Sequence, residues 1–264
     1  MSTRIVTLTT DFGGTDHFVG SLRGVILGIN PAASVVDLCN AVSSFDVLDG
    51  ALTLAEAYRH YPTDTIHLVV VDPGVGSSRR PLLVSTSRHY FIAPDNGVLS
   101  LVMAREERVT VRHITAEHYF LQPLSNTFHG RDIFAPCAAW LSKGVEPEKF
   151  GDEITDYARF ALPQPKPAGE RSLRGVVLKV DKFGNLITNL TAANAPALFA
   201  AGAQPRIKVG EAQVAGIRSS YAEGQPGELI AIVNSMNFLE IACNKAAASQ
   251  TAKAGRGAPV VVEF

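Results

Sequence analysis

Ile66-His67-Leu68-Val69-Val70-Val71, followed by Asp72-Pro73-Gly74, is the stretch that decides the fold. A near-continuous apolar run bounded by turn formers reads as a strand buried on both faces, the habit of a central strand in a parallel sheet. Working outward, residues 4–9 (IVTLTT) are short and β-branched, and they end in Asp11-Phe12-Gly13-Gly14, which reads as a strand running into a turn. Phe18, Leu22, Val25, Ile26 and Ile29 then recur at helical spacing until Pro31. A second strand is expected over 35–38 and a helix over 46–60, stopped before Pro62. Residues 82–87 and 89–92 suit a hairpin, and 98–104 and 132–141 suit helices. Strands alternating with helices predict an α/β domain with a mainly parallel central sheet over residues 1–160.

The pattern changes after residue 160. Residues 161–172 (ALPQPKPAGERS) hold three prolines and a glycine, which reads as an extended linker. Short strands follow at 175–180, 186–190, 205–209, 228–233, 238–242 and 259–264, with helical character only around 192–200. Residues 173–264 therefore predict a smaller all-β, barrel-like domain. Residues 246–259 read as a loop whose Ala-rich start suits a helical turn.

Composition narrows the function. The 264 residues are 46% hydrophobic and 19% charged, with a formal net charge of -1, which suits neither a basic nucleic-acid surface nor a disordered chain. Cys39, Cys137 and Cys243 are odd in number and far apart, so neither a disulfide framework nor a structural zinc site is expected. The remaining histidines, at 17, 60, 67, 89, 113 and 118, show no metal-binding spacing. No run has the length of a membrane span and the first residues lack a signal-peptide pattern, so a cytoplasmic protein without nucleic-acid or membrane partners is expected.

Four polar clusters stand where strands should end. Asp11 follows the first strand, where a carboxylate can accept ribose hydroxyls at the carboxyl edge of a sheet or merely cap a turn. Asp72-Pro73-Gly74-Val75-Gly76-Ser77-Ser78-Arg79-Arg80 follows the central strand. A tight turn explains its proline and glycine, but not an acid and two arginines together. Thr127-Phe128-His129-Gly130-Arg131-Asp132 precedes a helix that Asp132 is placed to cap. Asp181-Lys182-Phe183-Gly184-Asn185, with Asn234-Ser235 later, is either a hairpin turn or a nucleoside contact, and the residues alone leave both open. A G-x-S-x-G elbow is absent, so a serine hydrolase of the usual α/β type is not supported.

Together the segments TTDFGGTDHFVG, VVDLCNAVSSFDVLDGA, VVDPGVGSSRRP, FIAPDNGVL, NTFHGRDIFAP, VDKFGNLITN and NSMNFLEIACN, in this order over nearly the whole chain, resemble the S-adenosyl-L-methionine (SAM) hydroxide adenosyltransferases. These SAM hydrolases are relatives of the adenosyl-fluoride and adenosyl-chloride synthases. The resemblance implies an N-terminal α/β domain with a C-terminal β-barrel, and cleavage of SAM by water to adenosine and methionine without metal or cofactor. It places the water-activating trio on Asp72, Arg79 and His129, which the halide-using relatives lack. It places the ribose-binding acid on Asp11 and a ring beside the reacting carbon on Phe45. Asp181 and Ser235 fall around the methionine amine and carboxylate, Asn185 and Tyr221 at the adenine, and Phe183 nearby. Met236-Asn237 stands where relatives often carry glycine or arginine. The resemblance also implies a homotrimer whose sites lie between subunits.

The chemistry suits these residue types. Attack at C5′ of a sulfonium expels a neutral thioether, so no acid is needed at the leaving group. What is needed is an aligned nucleophile relieved of its proton, in a dry pocket. Two rivals are a halide-dependent adenosyl transferase and a non-catalytic SAM or adenosine sensor; the sensor has no need of Asp72, Arg79 and His129 together.

Overall fold

A computed structural model describes residues 4–200 and 202–264, in two compact units, Met1–Ala161 and Leu162–Phe264.

The first unit is a mixed α/β layer. Its strands are β1 (Ile5–Thr10), β2 (Ser34–Cys39), β3 (Ile66–Val70), β4 (Pro81–Thr86), β5 (Tyr90–Pro94) and β6 (Val109–His113). They are ordered β2-β1-β3-β5-β4-β6. The β1–β2, β1–β3 and β3–β5 junctions are parallel; the two that involve β4 are antiparallel. All five residues of β3 are buried, as the apolar run requires of a strand covered on both faces. On one face, Val6, Leu8, Leu68 and Val70 pack against α1 (Phe18–Ile29) through Leu22 and Ile26, and against Ile133 and Phe134. On the other lies α2 (Val47–Ala57), N-capped by Asp46, whose carboxylate accepts the Asp49 amide at 3.0 Å.

The expected helix over 98–104 shortens to α3 (Ser100–Met103). The helix expected over 132–141 begins as a π-turn, Gly130–Phe134, before α4 (Ala135–Ser142). Asp132 therefore does not cap it. The side chain is fully buried inside the π-turn, accepting from Arg131 and from the Ser125 amide. A carboxylate in a sealed position needs such donors, and its own flanking loop supplies them.

The second unit is antiparallel throughout its named strands. These are β7 (Lys166–Gly169), β8 (Ser172–Val180), β9 (Leu186–Thr191), β10 (Arg206–Val209), β11 (Ala212–Ala215), β12 (Leu229–Val233), β13 (Phe238–Cys243) and β14 (Pro259–Glu263). The order is β11-β10-β14-β8-β9-β13-β12, with β7 on β8. The two ends of this order come back together where Arg218 bridges Ile232, so the sheet nearly closes into a barrel. Its interior holds Val177, Leu186, Leu190, Ile207, Leu239, Ile241 and Val262. Part of the proline-rich stretch is thus strand β7. The Ala-rich start of 246–259 holds α5 (Ala248–Thr251).

Candidate active site

Parallel strands deliver their following loops to one edge, and the loops after β1, β2 and β3 meet there with the segment before the π-turn. A cleft of ≈ 360 Å³ is lined there by Asp11, Phe12, Phe18, Ser44, Phe45, Asp72, Thr127, Phe128 and His129, among others. Its size lies within the range of small-molecule sites, about 300–1,000 Å³. The rings of Phe12, Phe18 and Phe128 pack against one another at centroid separations of 5.3–5.9 Å, supplying an apolar wall.

The Asp11 turn is tied to the end of β2. The Gly13 amide donates to the Asn40 carbonyl at 2.7 Å, and the Thr10 hydroxyl donates to the Asn40 side chain at 2.9 Å. Asp11 accepts the Phe45 amide through Oδ2 at 2.8 Å. Phe45 has φ 65°, a conformation an aromatic residue adopts only under constraint, and the residue is 74% exposed. The loop holding it is fixed from below by Asp49, whose Oδ2 accepts the Ser43 amide at 2.9 Å.

Asp72, Arg79 and His129 form one chain of hydrogen bonds. Arg79 Nε donates to both Asp72 oxygens at 3.0 and 2.9 Å, and Nη2 donates to Oδ2 at 2.5 Å. Nη2 also donates to His129 Nδ1 at 2.8 Å. The Asp72 and Arg79 side chains are 5% and 8% exposed, so little water screens the pair. The Arg79 guanidinium lies 5.1 Å from the centroid of the Phe134 ring. Arg80, the other arginine of this loop, faces away to Asp95 and Asp156 and serves the scaffold. Gly76 has φ 78°, and a Cβ there would strike the Asn126 carbonyl, so the Asp72 and His129 loops abut at a position only glycine fits.

The chain of bonds sets the His129 tautomer. A guanidinium only donates, so Nδ1 accepts and the proton of the neutral ring sits on Nε2. Burial, and then the Arg79 charge, hold this imidazole below the ordinary histidine value, favouring that neutral form. The site therefore pairs a desolvated carboxylate with an N–H donor on the wall of one cleft.

The remaining candidates fall in the second unit. A cleft of ≈ 530 Å³ is lined by Phe183, Asn185 and Tyr221 with Cys243–Ala247. Phe183 is 77% exposed, while Asn185 is buried. Asp181 and Ser235 are not among its lining residues. Asp181 is engaged within its own turn, accepting the amides of Phe183 and Asn185 at 2.9 and 2.8 Å and Asn185 Nδ2 at 2.9 Å. Ser235 is exposed at the tip of the β12–β13 hairpin. Reading the sequence missed Glu240, a buried carboxylate within β13 that accepts from Tyr221 and Asn234. Its signal was a lone charge inside the otherwise apolar run Phe238–Cys243. Among the described residues no group of three or more His, Cys, Asp or Glu is placed to hold a metal ion.

Residues 6–151 match the SAM hydroxide adenosyltransferase N-terminal domain, and residues 175–261 match its C-terminal domain. An (R)-S-adenosyl-L-methionine hydrolase of Thermus thermophilus is 33% identical over 265 residues, covering 97% of this chain and 98% of that protein. A fluorinase of Actinopolyspora mzabensis is 25% identical over 273 residues, covering 92% and 91%. The crystal structure of an uncharacterized conserved protein from Thermotoga maritima superposes with a TM-score of 0.89 at 36% identity, covering 98% of this chain and 100% of that one.

Proposed function

The chain belongs to the SAM hydroxide adenosyltransferase family, and from that premise we propose how its residues hydrolyse SAM to adenosine and methionine. The observation that carries the proposal is the Asp72–Arg79–His129 chain on the wall of the cleft that also holds Asp11 and Phe45.

Asp11 takes the ribose hydroxyls, and Phe45 packs against the sugar and the reacting carbon. A water held between Asp72 and the Nε2–H of His129 is the nucleophile. Asp72 takes its proton, because His129 Nδ1 is occupied by Arg79 and its Nε2 already carries hydrogen. Arg79 keeps the carboxylate aligned and His129 holds the oxygen as charge builds on it. The oxygen attacks C5′, the C5′–S bond breaks with its electron pair going to sulfur, and methionine leaves as a neutral thioether. Holding the reactants in line contributes on the order of 7–11 kcal/mol, more than the roughly 10²–10⁴-fold of a single proton transfer. Phe183, Asn185 and Tyr221 receive the adenine, with Asp181 and Ser235 toward the methionine end.

The (R) in the relatives' name refers to the sulfonium centre, and we assign the same epimer to this chain. A homotrimer with shared sites and a cytoplasmic setting belong to the same proposal; three free cysteines suit a reducing compartment.

Chromatography of a SAM incubation in ¹⁸O-water, with and without chloride, tests the reading. Adenosine labelled at its 5′-hydroxyl, with unlabelled methionine, is expected. Formation of 5′-chloroadenosine would favour the halide-dependent rival, and bound but intact SAM would favour a sensor. Resolved sulfonium epimers test the stereochemical assignment, and light scattering tests the trimer.

A further inference from the structure

Glu240 is where a strand breaks its own pattern. Along β13, Leu239, Ile241 and Cys243 face the barrel core, while Phe238, Glu240 and Ala242 face the other side. Glu240 is flanked across the sheet by Ile232 and Ile187, and it is only 3% exposed. Burying a carboxylate between two isoleucines is costly unless donors meet it. Two do. Tyr221 donates its hydroxyl to Oε1 at 2.8 Å, and Asn234 donates Nδ2 to Oε2 at 3.0 Å.

One donor lines the candidate adenine cleft and the other shapes the hairpin tip beside Ser235. Tyr221 lines the cleft with Phe183 and Asn185, and the residue is 46% exposed. Asn234 forms the hairpin tip that carries Ser235; its Oδ1 accepts the Met236 and Phe238 amides at 3.0 and 3.1 Å. With Oδ1 so engaged, the amide has one orientation, and only Nδ2 is left for Glu240. Burial, with Glu240 beside it, pushes the Tyr221 hydroxyl up to about 12, so it stays a donor.

We infer that Glu240 is a positioning residue for substrate, holding the Tyr221 ring against the nucleoside and the Asn234–Asn237 tip in one geometry through its two oxygens. The inference rests on the reading of the Phe183–Asn185–Tyr221 cleft as the adenine subsite. An ionised carboxylate matches two donors. A glutamine can turn its one acceptor to Asn234, but it then presents an amide donor to Tyr221, so the charge-assisted hydrogen bond from the Tyr221 hydroxyl is lost.

Steady-state kinetics and adenosine inhibition of four proteins test it: wild type, Glu240→Gln, Tyr221→Phe and the double variant. Tyr221→Phe keeps the ring and removes only the hydroxyl, so it reads the same link if Glu240→Gln does not fold. Each single variant should raise KM for SAM and the inhibition constant of adenosine by about tenfold, the scale of one charge-assisted hydrogen bond, with kcat little changed. The double variant should stay near tenfold rather than about a hundredfold, because both changes remove the same Tyr221–Glu240 hydrogen bond. Unchanged constants would overturn the inference. So would a rise in KM for the cationic SAM with no change for neutral adenosine, which would mean that Glu240 acts through its charge alone. A wild type that leaves SAM intact would sink the hydrolase reading instead; adenosine titration by calorimetry would then still decide the role of Glu240.

Discussion

Two histidines of the α/β unit stand in opposite circumstances. His67 lies within β3, sealed at 0% exposure and packed among the rings of Tyr58, His89 and Phe91. Its Nδ1 is 2.7 Å from the Thr7 hydroxyl, and its Nε2 has no hydrogen-bond partner among the described residues. Burial, with His89 beside it, pushes it down to about 3. His129 stands past the opposite end of β3, also nearly buried, but on the wall of a cleft and bonded to an arginine that is bonded to a carboxylate. Both rings are held neutral by burial. The difference is that His129 has its hydrogen placed by a charged partner and faces a cavity, while His67 faces packed aromatic rings. Burial makes a histidine neutral; a fixed tautomer beside a cleft makes it useful.

Breaking the charged partner should give the largest effect. Arg79→Ala removes every hydrogen bond that Asp72 receives from the guanidinium and frees His129 Nδ1. Turnover should fall by about 10³-fold or more. Stability should fall by about 3–5 kcal/mol, because a buried carboxylate is left unpaired. Stopped assays and thermal melts check both, and near-normal turnover would erase the contrast between the two histidines. Asp72→Asn, which keeps the shape but loses the charged oxygen that takes the proton, should cost about 10²–10⁴-fold in turnover with KM for SAM little moved.

His129→Gln should lower turnover by about 10²-fold, since it keeps a donor but loses the ring geometry. In the proposed mechanism the neutral ring is the working form, and burial holds it below the ordinary histidine value, so activity should hold down to mildly acid pH and fall below it. A pH–rate profile that drops already above neutrality would contradict the assigned tautomer.

His67 should instead appear in stability. Its folded pKa is about 3 and its unfolded value about 6.5, so the unfolded chain takes up the proton first. Stability that is complete above about pH 6.5 should be lost as pH falls toward 3, by up to about 1.4 kcal/mol per pH unit. Melts from pH 7 to 4.5 would show this slope, and His67→Gln should flatten it while leaving kcat in place.

The smallest effect is expected at His89, 1% exposed with neither ring nitrogen partnered among the described residues. His89→Leu should leave turnover unchanged and the melting temperature level or raised, because no hydrogen bond is lost. A marked loss of activity would show that the buried pair reaches the cleft after all.

Glu240 and Asp132 show why part of the site escaped a reading of the chain. The lone glutamate in FLEIAC was visible as an oddity, but its partners Tyr221 and Asn234 lie 19 and 6 residues away, at distances no periodicity encodes. Asp132 sits where a cap belongs by sequence, yet the π-turn carries it inside, where Arg131 and the Ser125 amide meet it. Strand β11 was missed for a similar reason. Its four residues carry too little pattern, and their pairing with β10 is what makes them a strand.

The sequence by itself determined the alternating α/β half, the buried strand Ile66–Val70 and the barrel-like second half, because burial patterns are local and repeat with the period of the element. It also determined which family the chain joins, through seven ordered segments. Only the tertiary structure decided that Arg79 bonds both to Asp72 and to a histidine 50 residues beyond it, and that Arg80 beside it does not. It alone decided which nitrogen of His129 keeps the hydrogen. A hydrogen bond requires an approach of about 3 Å and a direction, and both are properties of where folded strands end rather than of the order of residues along them.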